Sequence, residues 1–432
     1  MRILIKGGHV IDPKNHVDRV TDVYLDKGVI SEVGDDINYE LEGLELEVID
    51  ATGKYVVPGL IDMHCHLREP GFEYKETIES GTKSAAMGGF TSIACMPNTK
   101  PVVDNAAVVT YIKERAKEVG AVHVYPIGAI TKGQKGEELA EIGEMKFAGI
   151  VAVSEDGKSV ENPCLMRHAM EYAAMFDTMV ISHCEDMALV DGGCMNEGFM
   201  STKLGLRGIT RAAEEVVIAR DIILAETTHT PVHIAHVSTR GGVELVREAK
   251  KRGVRVTCET CPHYFTLTED AVEGYNTFAK MNPPLRTEDD VKAICEGLAD
   301  GTIDAIATDH APHHIDEKNC EFQRAANGIV GFETAFALGY TYLVKPGILS
   351  LEELIRKFTV NPAHILGLGK GTLSEDATAD VMIFDTEEPF EVKTAEFQSK
   401  SKNSPYDGYR LYGKVCYTIV NGEIVVSQGI LL

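Results

Sequence analysis

The sequence predicts an α/β fold: a (β/α)8 barrel joined to a small composite β-sandwich domain built from both chain ends. The chain has 432 residues, which is enough for one barrel and a smaller domain. Strand and helix patterns alternate eight times in its middle, whereas purely β patterns come first and last. We therefore predict a barrel over residues 56–371 and one β domain from residues 1–55 and 372–432.

Short apolar runs separated by turns predict the β domain. Asp26-Lys-Gly28 is typical of a hairpin turn, and Asn421-Gly422 between two apolar runs is a stronger signal of the same kind. Because both chain ends are β and flank one barrel, we expect them to pair with each other. The runs are Ile3–Ile5, Val20–Leu25, Val29–Val33, Glu47–Asp50, Ala379–Asp385 and Val415–Val426.

Eight further apolar runs predict the barrel strands, and amphipathic stretches between them predict helices. An open doubly wound sheet is the alternative, but no Gly-rich phosphate-binding fingerprint follows the first strand, which favours the barrel. The predicted strands are Val56–His66, Phe90–Met96, Val122–Ile127, Gly149–Val153, Met179–His183, Val232–His236, Val254–Glu259 and Ala305–Asp309. The predicted helices include Asn105–Val119, Asn162–Phe176, Arg211–Thr227, Gly242–Lys251, Glu288–Leu298 and Phe332–Leu343.

Composition excludes several classes of partner. Hydrophobic residues make up 44% and charged residues 25%, as in an ordinary globular enzyme. The formal net charge of −24 is spread along the chain, which argues against a nucleic-acid or anionic-membrane surface. An anionic substrate would therefore need local cations in its pocket.

The sequence also predicts a cytoplasmic location. Met1–Lys6 is interrupted by charge before the apolar core of a signal peptide could form. No apolar run approaches the ~20 residues that span a bilayer. Ten cysteines without a secretory signal are interpreted as reduced thiols.

Ligand-type side chains lie at the ends of the predicted strands. His64 and His66 are two residues apart, so they share one face of their strand. His183, His236 and Asp309 end three other strands, and Glu155-Asp156 follows the fourth. Strand carboxyl ends converge at one mouth of a barrel. Four histidines and two carboxylates there predict a site for one or two divalent ions, with imidazole favouring zinc over magnesium.

The other histidines near the strands are not predicted to bind the metal. His233 is an odd number of residues from His236 and His123 lies early in its strand, so both are interpreted as structural. His310, His313 and His314 follow Asp309, and each is either a substrate contact or a solvated loop residue.

Two more residues suit catalysis beside a metal. Asp309 is placed both to bind an ion and to accept and return the proton of an attacking water. Arg68 lies two residues beyond His66, and its guanidinium suits a substrate carboxylate. The alternative for Arg68 is a structural ion pair with Glu69, Glu73 or another acid.

Several motifs together resemble the type I dihydroorotases of the amidohydrolase superfamily. The resemblance runs from about residue 1 to residue 430, and several of its motifs are specific to this subgroup. The motifs are Asp62–Gly71, Met96–Thr99, His183–Glu185, Met281–Arg286, Thr308–His313, Gly328–Thr334 and Gly413–Val415.

This resemblance implies a barrel of the metal-dependent hydrolase type and reversible cyclisation of N-carbamoyl-L-aspartate to L-dihydroorotate in pyrimidine biosynthesis. Arg68, Asn98 and His313 would hold the substrate α-carboxylate, and Asn282 would bond the ureide ring. In the hydrolytic direction a metal hydroxide would attack the ring carbonyl, with Asp309 moving the proton. The implied zinc ligands are His64, His66, Asp156, His183, His236 and Asp309.

The resemblance also implies a homodimer and an association with aspartate carbamoyltransferase. The loop from His310 to Glu333 is a hypothetical lid over the pocket. Asp156 stands in Ser-Glu-Asp-Gly, where the family more often has two aspartates, so Glu155 is a competing ligand.

The sequence leaves two alternatives to a dihydroorotase. Hydantoinases, dihydropyrimidinases and allantoinases share the fold and the His-x-His motif, but they bridge their metals with a carboxylated lysine after strand four. Residues Ile150–Ser154 contain no lysine, which favours dihydroorotase. A non-catalytic scaffold for aspartate carbamoyltransferase would be expected to have lost metal ligands, and this chain keeps all six.

Overall fold

A computed structural model describes residues 2–35, 37 and 46–432. Residues 1, 36 and 38–45, which belong to the predicted N-terminal β segment, lie outside the described residues. In chain order the strands are β1 (Arg2–Asp12), β2 (Val17–Asp26), β3 (Val29–Gly34), β4 (Leu46–Asp50), β5 (Tyr55–Pro58), β6 (Leu60–Cys65), β7 (Phe90–Cys95), β8 (His123–Pro126), β9 (Gly128–Ala129), β10 (Ala152–Ser154), β11 (Met179–Ser182), β12 (Met195–Asn196), β13 (Gly208–Ile209), β14 (Val232–Ile234), β15 (Val256–Thr260), β16 (Ala305–Ile306), β17 (Val381–Asp385), β18 (Phe390–Glu391), β19 (Arg410–Leu411), β20 (Lys414–Val420), β21 (Glu423–Ser427) and β22 (Ile430–Leu431).

The helices mostly follow the barrel strands. They are α1 (Ile78–Met87), α2 (Ala106–Val119), α3 (Ile142–Ala148), α4 (Pro163–Ala174), α5 (Met187–Val190), α6 (Phe199–Leu204), α7 (Ala212–Thr228), α8 (Arg240–Lys251), α9 (Pro262–Thr266), α10 (Glu288–Ala299), α11 (Ile315–Lys318), α12 (Phe332–Gly339), α13 (Leu351–Phe358) and α14 (Val360–Leu366). A π-helical turn, Tyr340–Val344, continues α12. Side-chain caps at Asn105, Asn162 and Thr239 explain why α2, α4 and α8 begin where they do.

The barrel is nearly closed, which confirms the predicted fold class. Strands β9, β10, β11, β14, β15 and β16 form one parallel sheet and β6, β7 and β8 another. A parallel bridge between Cys65 and His310 joins the first barrel strand to the chain that leaves the eighth. The third strand is interrupted at Ile127, so its first part (β8) pairs with β7 and its second (β9) with β10.

Strands from the two chain ends form one sheet. In the described part of the chain it has nine strands in the order β22-β21-β20-β17-β5-β1-β2-β3, with β4 beside β1. Strand β17 is antiparallel to β5, with Ile383 opposite Val56, and β5 is parallel to β1. This is the separate sheet domain that the patterns predicted; the exact boundaries at residues 55 and 371 remain predictions.

The predicted first strand, Val56–His66, is two strands. Its first part, β5, belongs to the sheet from the chain ends, and its second, β6, opens the barrel. The break falls at Gly59, whose ideal Cβ would lie 2.2 Å from Oγ1 of Thr91. The backbone therefore crosses between the two sheets where only a glycine fits against Thr91.

Separate apolar clusters hold the layers together. Small side chains such as Ala94, Ala152, Ala235 and Ala305 fill the barrel interior with Met63. A larger cluster lies between the strands and the surrounding helices, and a third lies in the sheet from the chain ends. Among the described residues, no helix is long and apolar enough to cross a membrane.

Candidate metal centre and active site

The predicted ligands converge at the carboxyl ends of the barrel strands. His64 is the second-last residue of β6, while Asp156, His183, His236 and Asp309 each follow a different strand. His236 (φ 34°) and Asp309 (φ 45°) have left-handed backbone conformations, which non-glycine residues rarely adopt. The chain turns sharply at these two residues, and such strain is common at functional sites.

One group of ligand atoms is formed by His64, His66, Asp156 and Asp309. Nε2 of His64 lies 3.2 Å from Oδ1 of Asp156 and 3.6 Å from Oδ1 of Asp309. Nε2 of His66 lies 3.4 Å from Oδ2 of Asp156 and 3.1 Å from Oδ1 of Asp309. The two imidazoles and two carboxylates therefore face one small volume.

A second group shares Asp156. Nδ1 of His183 lies 3.6 Å and Nε2 of His236 lies 3.7 Å from Oδ1 of Asp156. These two ring nitrogens are only 2.8 Å apart. Asp156 is therefore the residue that the two groups of candidate ligands share.

The donor set fits a divalent metal. The structure contains two sets of three buried ligand atoms within 4.8 Å of one another: His64, His66 and Asp156, and Asp156, His183 and His236. Nε2 of His64 is fully buried and has no hydrogen-bond partner in the described part of the chain, although it faces carboxylate oxygens. Imidazole and carboxylate donors in this number suit a zinc-like ion.

Supporting side chains orient three of the imidazoles. Nδ1 of His64 donates to Oε1 of Glu259 at 2.8 Å, and Nδ1 of His66 donates to Oδ1 of Asn98 at 2.9 Å. Nε2 of His183 lies 3.3 Å from Oε2 of Glu185. Such contacts fix the tautomer that points the other ring nitrogen at a metal.

Sequence reasoning gave no role to Glu259 or Glu185. Glu259 is fully buried at the end of β15, and Oε2 also lies 3.3 Å from Nε2 of His233. Glu185 stands two residues after His183, the same separation that joined His64 to His66. That separation could have singled out Glu185, but Glu259 is 195 residues from His64, and no local pattern links them.

The candidate ligands shift one another's pKa values toward their charged forms. Burial alone would raise the pKa of Asp156, but His64, His183 and His236 hold it well below its ordinary value. Burial would lower the pKa of His64, but Asp156 and Glu259 raise it well above its ordinary value. The imidazolium form of His64 and the carboxylate form of Asp156 therefore stabilise each other.

A cationic group lies beside the metal cluster. Nη2 of Arg68 lies 3.3 Å from Nε2 of His313, and Nε of Arg68 donates to the carbonyl of Pro312. Nζ of Lys75 lies 3.5 Å from Nδ1 of His313. Burial, followed by the charges of Arg68 and Lys75, lowers the pKa of His313 far below its ordinary value, so its imidazole is neutral.

Arg68 does not pair with Glu69, the first acid considered for a structural ion pair. Its guanidinium contacts His313 and the Pro312 carbonyl, and Glu69 pairs with Arg115 at 3.1 Å. Arg68 also has a left-handed backbone, with φ 62°. This places a fixed cation at the rim of the cluster, as an anionic ligand would require in a chain of net charge −24.

The two predicted asparagines contact different parts of the cluster. Besides contacting His66, Asn98 donates from Nδ2 to Oδ2 of Asp156 at 3.5 Å. Nδ2 of Asn282 donates to Oε2 of Glu185 at 3.0 Å. Both asparagines therefore touch groups that contact the candidate ligands.

Glu155 and His310 differ from what the sequence suggested, whereas His314 does not. Glu155, the competing ligand, instead accepts hydrogen bonds from the backbone N–H groups of Ile130 and Thr131 at 3.2 and 3.0 Å. His310 is not solvated; it is fully buried, and its ring stacks on Phe332. His314 is exposed and caps α11, as expected of a loop histidine.

The barrel and its histidine–aspartate cluster define an amidohydrolase. Residues 289–426 match the Amidohydrolase family, and residues 53–242 match the family described as Dihydro-orotase-like. An L-hydantoinase (dihydropyrimidinase) from Arthrobacter aurescens has the same fold, with a TM-score of 0.88 and 26% identity over 100% of this chain and 97% of that one. A D-hydantoinase (dihydropyrimidinase) from Thermus sp. has a TM-score of 0.85 and 25% identity, over 100% and 96% of the two chains.

Sequence relatives identify the family within this class. Dihydroorotases from Acetivibrio thermocellus and Ruminiclostridium cellulolyticum are each 62% identical, over 100% of both chains. A dihydroorotase from Geobacter metallireducens is 57% identical over 99% of this chain and 100% of its own length. The chain belongs to the dihydroorotase family of the amidohydrolase superfamily.

Proposed function

We propose that this chain is a zinc-dependent dihydroorotase that interconverts L-dihydroorotate and N-carbamoyl-L-aspartate in pyrimidine biosynthesis. The observation that carries the proposal is the cluster around Asp156, with the cationic Arg68–His313 pair beside it. A metal site next to a fixed cation suits a cyclic amide that bears a carboxylate. Family membership supplies the particular ring.

The proposed ligands form two sites that share Asp156. The first would use His64, His66 and Asp309, and the second would use His183 and His236. When bound there, a divalent ion supplies Lewis-acid polarisation of the ring carbonyl and acidifies water. The histidine-rich donor set favours zinc over magnesium.

Asp309 is proposed to move the proton in the ring-opening direction. The water oxygen bonds to the ring carbonyl carbon, the carbon–nitrogen bond breaks, and a proton passes through Asp309 to the departing ring nitrogen. Burial would raise the pKa of Asp309, but the hydrogen bond from His66 and the charge of His64 hold it below its ordinary value. The carboxylate is thus ready to accept a proton. Ring closure runs the same steps backwards.

Substrate binding is proposed to use the groups around the cluster. Arg68, Asn98 and His313 would hold the α-carboxylate, with Arg68 supplying the charge. Asn282 would bond the ureide part of the ring. Arg68 and His313 already lie in contact, and Asn98 lies between the ligands His66 and Asp156.

The test is hydrolysis of dihydroorotate by purified protein, followed as loss of ultraviolet absorbance. Metal-stripped, zinc-reconstituted and Asp309→Asn proteins are compared, with hydantoin, dihydrouracil and allantoin as rival substrates. We expect zinc-dependent turnover of dihydroorotate alone, lost in Asp309→Asn. Turnover of a rival ring would contradict the role of Arg68, and no turnover by metal-loaded protein would favour a scaffold.

The hydantoinase alternative has one observation in its favour, the fold shared with L-hydantoinase from Arthrobacter aurescens. Against it, β10 and the residue before it read Val-Ala-Val-Ser, without a lysine to be carboxylated. The rival substrates in the same assay separate the two activities.

Cytoplasmic location, a homodimer and association with aspartate carbamoyltransferase are part of the same proposal. All ten cysteines are free thiols in the structure, as a reducing compartment would require. Light scattering of the purified chain, alone and mixed with aspartate carbamoyltransferase, tests both assemblies. A mass of one chain under both conditions would contradict them.

A further inference from the structure

We infer that Asn403 is a positioning residue for substrate binding, because it fixes the loop that carries His313 against the loop that carries Arg68. This inference rests on the proposed function and deepens it. Asn403 belongs to a stretch after β18 that we call the bridging segment, residues 397–406. The bridging segment lies more than 90 residues beyond the last barrel strand and has no metal ligand of its own.

Both polar atoms of the Asn403 side chain form hydrogen bonds with the loop that follows β16. Oδ1 accepts from the backbone N–H of His313 at 3.0 Å. Nδ2 donates to the carbonyls of Ala311 and Gly328, both at 3.0 Å. The backbone carbonyl of Asn403 accepts from the N–H of Val330 at 2.9 Å. One buried amide thus ties both arms of the loop after β16 to the bridging segment.

The bridging segment also holds the loop after β6. Oγ of Ser401 donates to the carbonyl of Lys75 at 2.7 Å, and Oγ of Ser399 donates to Oε2 of Glu76 at 2.5 Å. Nζ of Lys75 in turn lies 3.5 Å from His313. The two loops whose side chains meet in the Arg68–His313 contact are therefore anchored to the same few residues.

An amide at position 403 is required by the chemistry of its partners. Its three side-chain contacts are one N–H group and two carbonyl oxygens, so the site needs one acceptor and two donors. A carboxylate of the same shape would keep the acceptor but would face two carbonyl oxygens without a proton. Asn403 is only 2% exposed, so water cannot compensate.

Asn403→Asp is the first variant to test. We expect KM for dihydroorotate and for N-carbamoyl-L-aspartate to rise about tenfold or more, with kcat lowered less than about threefold, because carboxylate binding is disturbed and the cluster is not. Metal content should be unchanged. Amide hydrogen exchange should accelerate at His313 and Val330, whose N–H groups bond to Asn403.

Asn361→Asp is the matched control. Nδ2 of Asn361 donates to the carbonyl of Asp304 at 2.7 Å, just before β16, at the opposite end of the same strand. This variant also replaces an amide donor that faces a carbonyl, so it should cost stability but leave KM and the exchange of the His313 loop unchanged. An equal KM rise in both variants would overturn the inference, as would an unchanged KM in Asn403→Asp.

Ser401→Ala decides the matter if Asn403→Asp does not fold. It removes one hydrogen bond from the bridging segment to the other loop, so a smaller KM rise supports the inference and an unchanged KM overturns it. Failure of the wild-type protein to hydrolyse dihydroorotate would instead overturn the proposed function. In that case the hydrogen-exchange comparison still tests whether Asn403 holds the loop.

Discussion

In three of the candidate histidine ligands, the ring nitrogen that does not face Asp156 contacts a supporting side chain, and that contact sets the direction of the other ring nitrogen. Glu259 holds His64, Asn98 holds His66 and Glu185 holds His183. Among these three partners, Glu259 depends most on its hydrogen bonds, because it is a fully buried carboxylate. Burial would raise the pKa of Glu259, but His233 and His64 hold it at about 2.

Glu259→Gln should therefore weaken metal binding. An amide can keep the shape but can present its NH2 group to Nδ1 of His64, which favours the wrong tautomer. We expect metal affinity to fall about 10- to 100-fold, measured by competition with a chromogenic chelator. Asp380→Asn is the control, since Asp380 pairs with His123 at 3.2 Å outside the metal cluster. Equal affinity in Glu259→Gln and wild type would contradict the role of Glu259.

Arg68→Met tests the fixed cation. Methionine keeps an unbranched apolar stem but removes the charge-assisted hydrogen bonds proposed for the substrate carboxylate. Loss of a charged hydrogen bond costs about 1.5–3 kcal/mol, so KM for dihydroorotate should rise roughly 10- to 150-fold. Steady-state kinetics provide the measurement, and Arg115→Met, which removes an arginine paired with Glu69, should leave KM near the wild-type value. A similar KM in both variants would place the carboxylate elsewhere.

The six candidate ligands could be proposed from the sequence because each stands at or just after an apolar run. Their supporting residues could not, because Glu259 and Asn403 reach their partners across 195 and 90 residues. No periodicity connects such distant positions in a single sequence. The hydrogen bonds of Glu155 could not be predicted either, because its partners lie in the loop after the neighbouring strand β9.

At the scale of elements, the predicted strands generally end too late. Val232–His236 was predicted, whereas β14 ends at Ile234, and β16 ends at Ile306 rather than Asp309. The apolar pattern continues, but the left-handed backbone at His236 and Asp309 cannot extend a strand ladder. Histidine and aspartate adopt this conformation more often than most residues do, but that preference is too weak to locate the turn from a single sequence.

Gly59→Ala tests the passage between the two sheets. The added Cβ would lie 2.2 Å from Oγ1 and Cγ2 of Thr91, so the backbone or Thr91 must move. We expect the free energy of unfolding to fall by about 1–3 kcal/mol, measured by chemical denaturation. Gly369→Ala is the control, because its Cβ would meet nothing within 4 Å, and its effect should stay within about 0.5 kcal/mol. Equal losses in the two variants would show that space at Gly59 is not limiting.

For the whole molecule, the main prediction was that the chain ends pair, and the structure shows why the barrel depends on them. Strand β5 lies between β1 and β17 and leads directly into β6. The first barrel strand is thus continuous with the middle of the other sheet. The apolar run Tyr55–Ile61 predicts one strand, because both strands are buried and give the same pattern, and only Pro58-Gly59 within the run marks the break.

A buried carboxylate makes the stability of the whole chain depend on pH. Oε1 of Glu333, on α12, accepts from Oγ of Ser84 at 2.8 Å and from the N–H of Gln398 at 2.7 Å. Despite these bonds, burial raises the pKa of Glu333 to about 7, above the ordinary 4.5. The contribution of Glu333 to stability is therefore fully present below about pH 4.5 and is lost as the pH rises through about 7.

Glu333→Gln should remove this dependence, because the neutral amide imitates the protonated acid. The wild-type free energy of unfolding, relative to that of Glu333→Gln, should fall by about 2 kcal/mol between pH 5 and pH 8, measured by urea denaturation at each pH. Glu391→Gln, which changes an exposed carboxylate on β18, should leave the corresponding difference flat. A wild-type protein that gains stability relative to Glu333→Gln as the pH rises would mean that Glu333 is held ionised. The contact between α12 and the bridging segment would then depend on charge rather than on a proton.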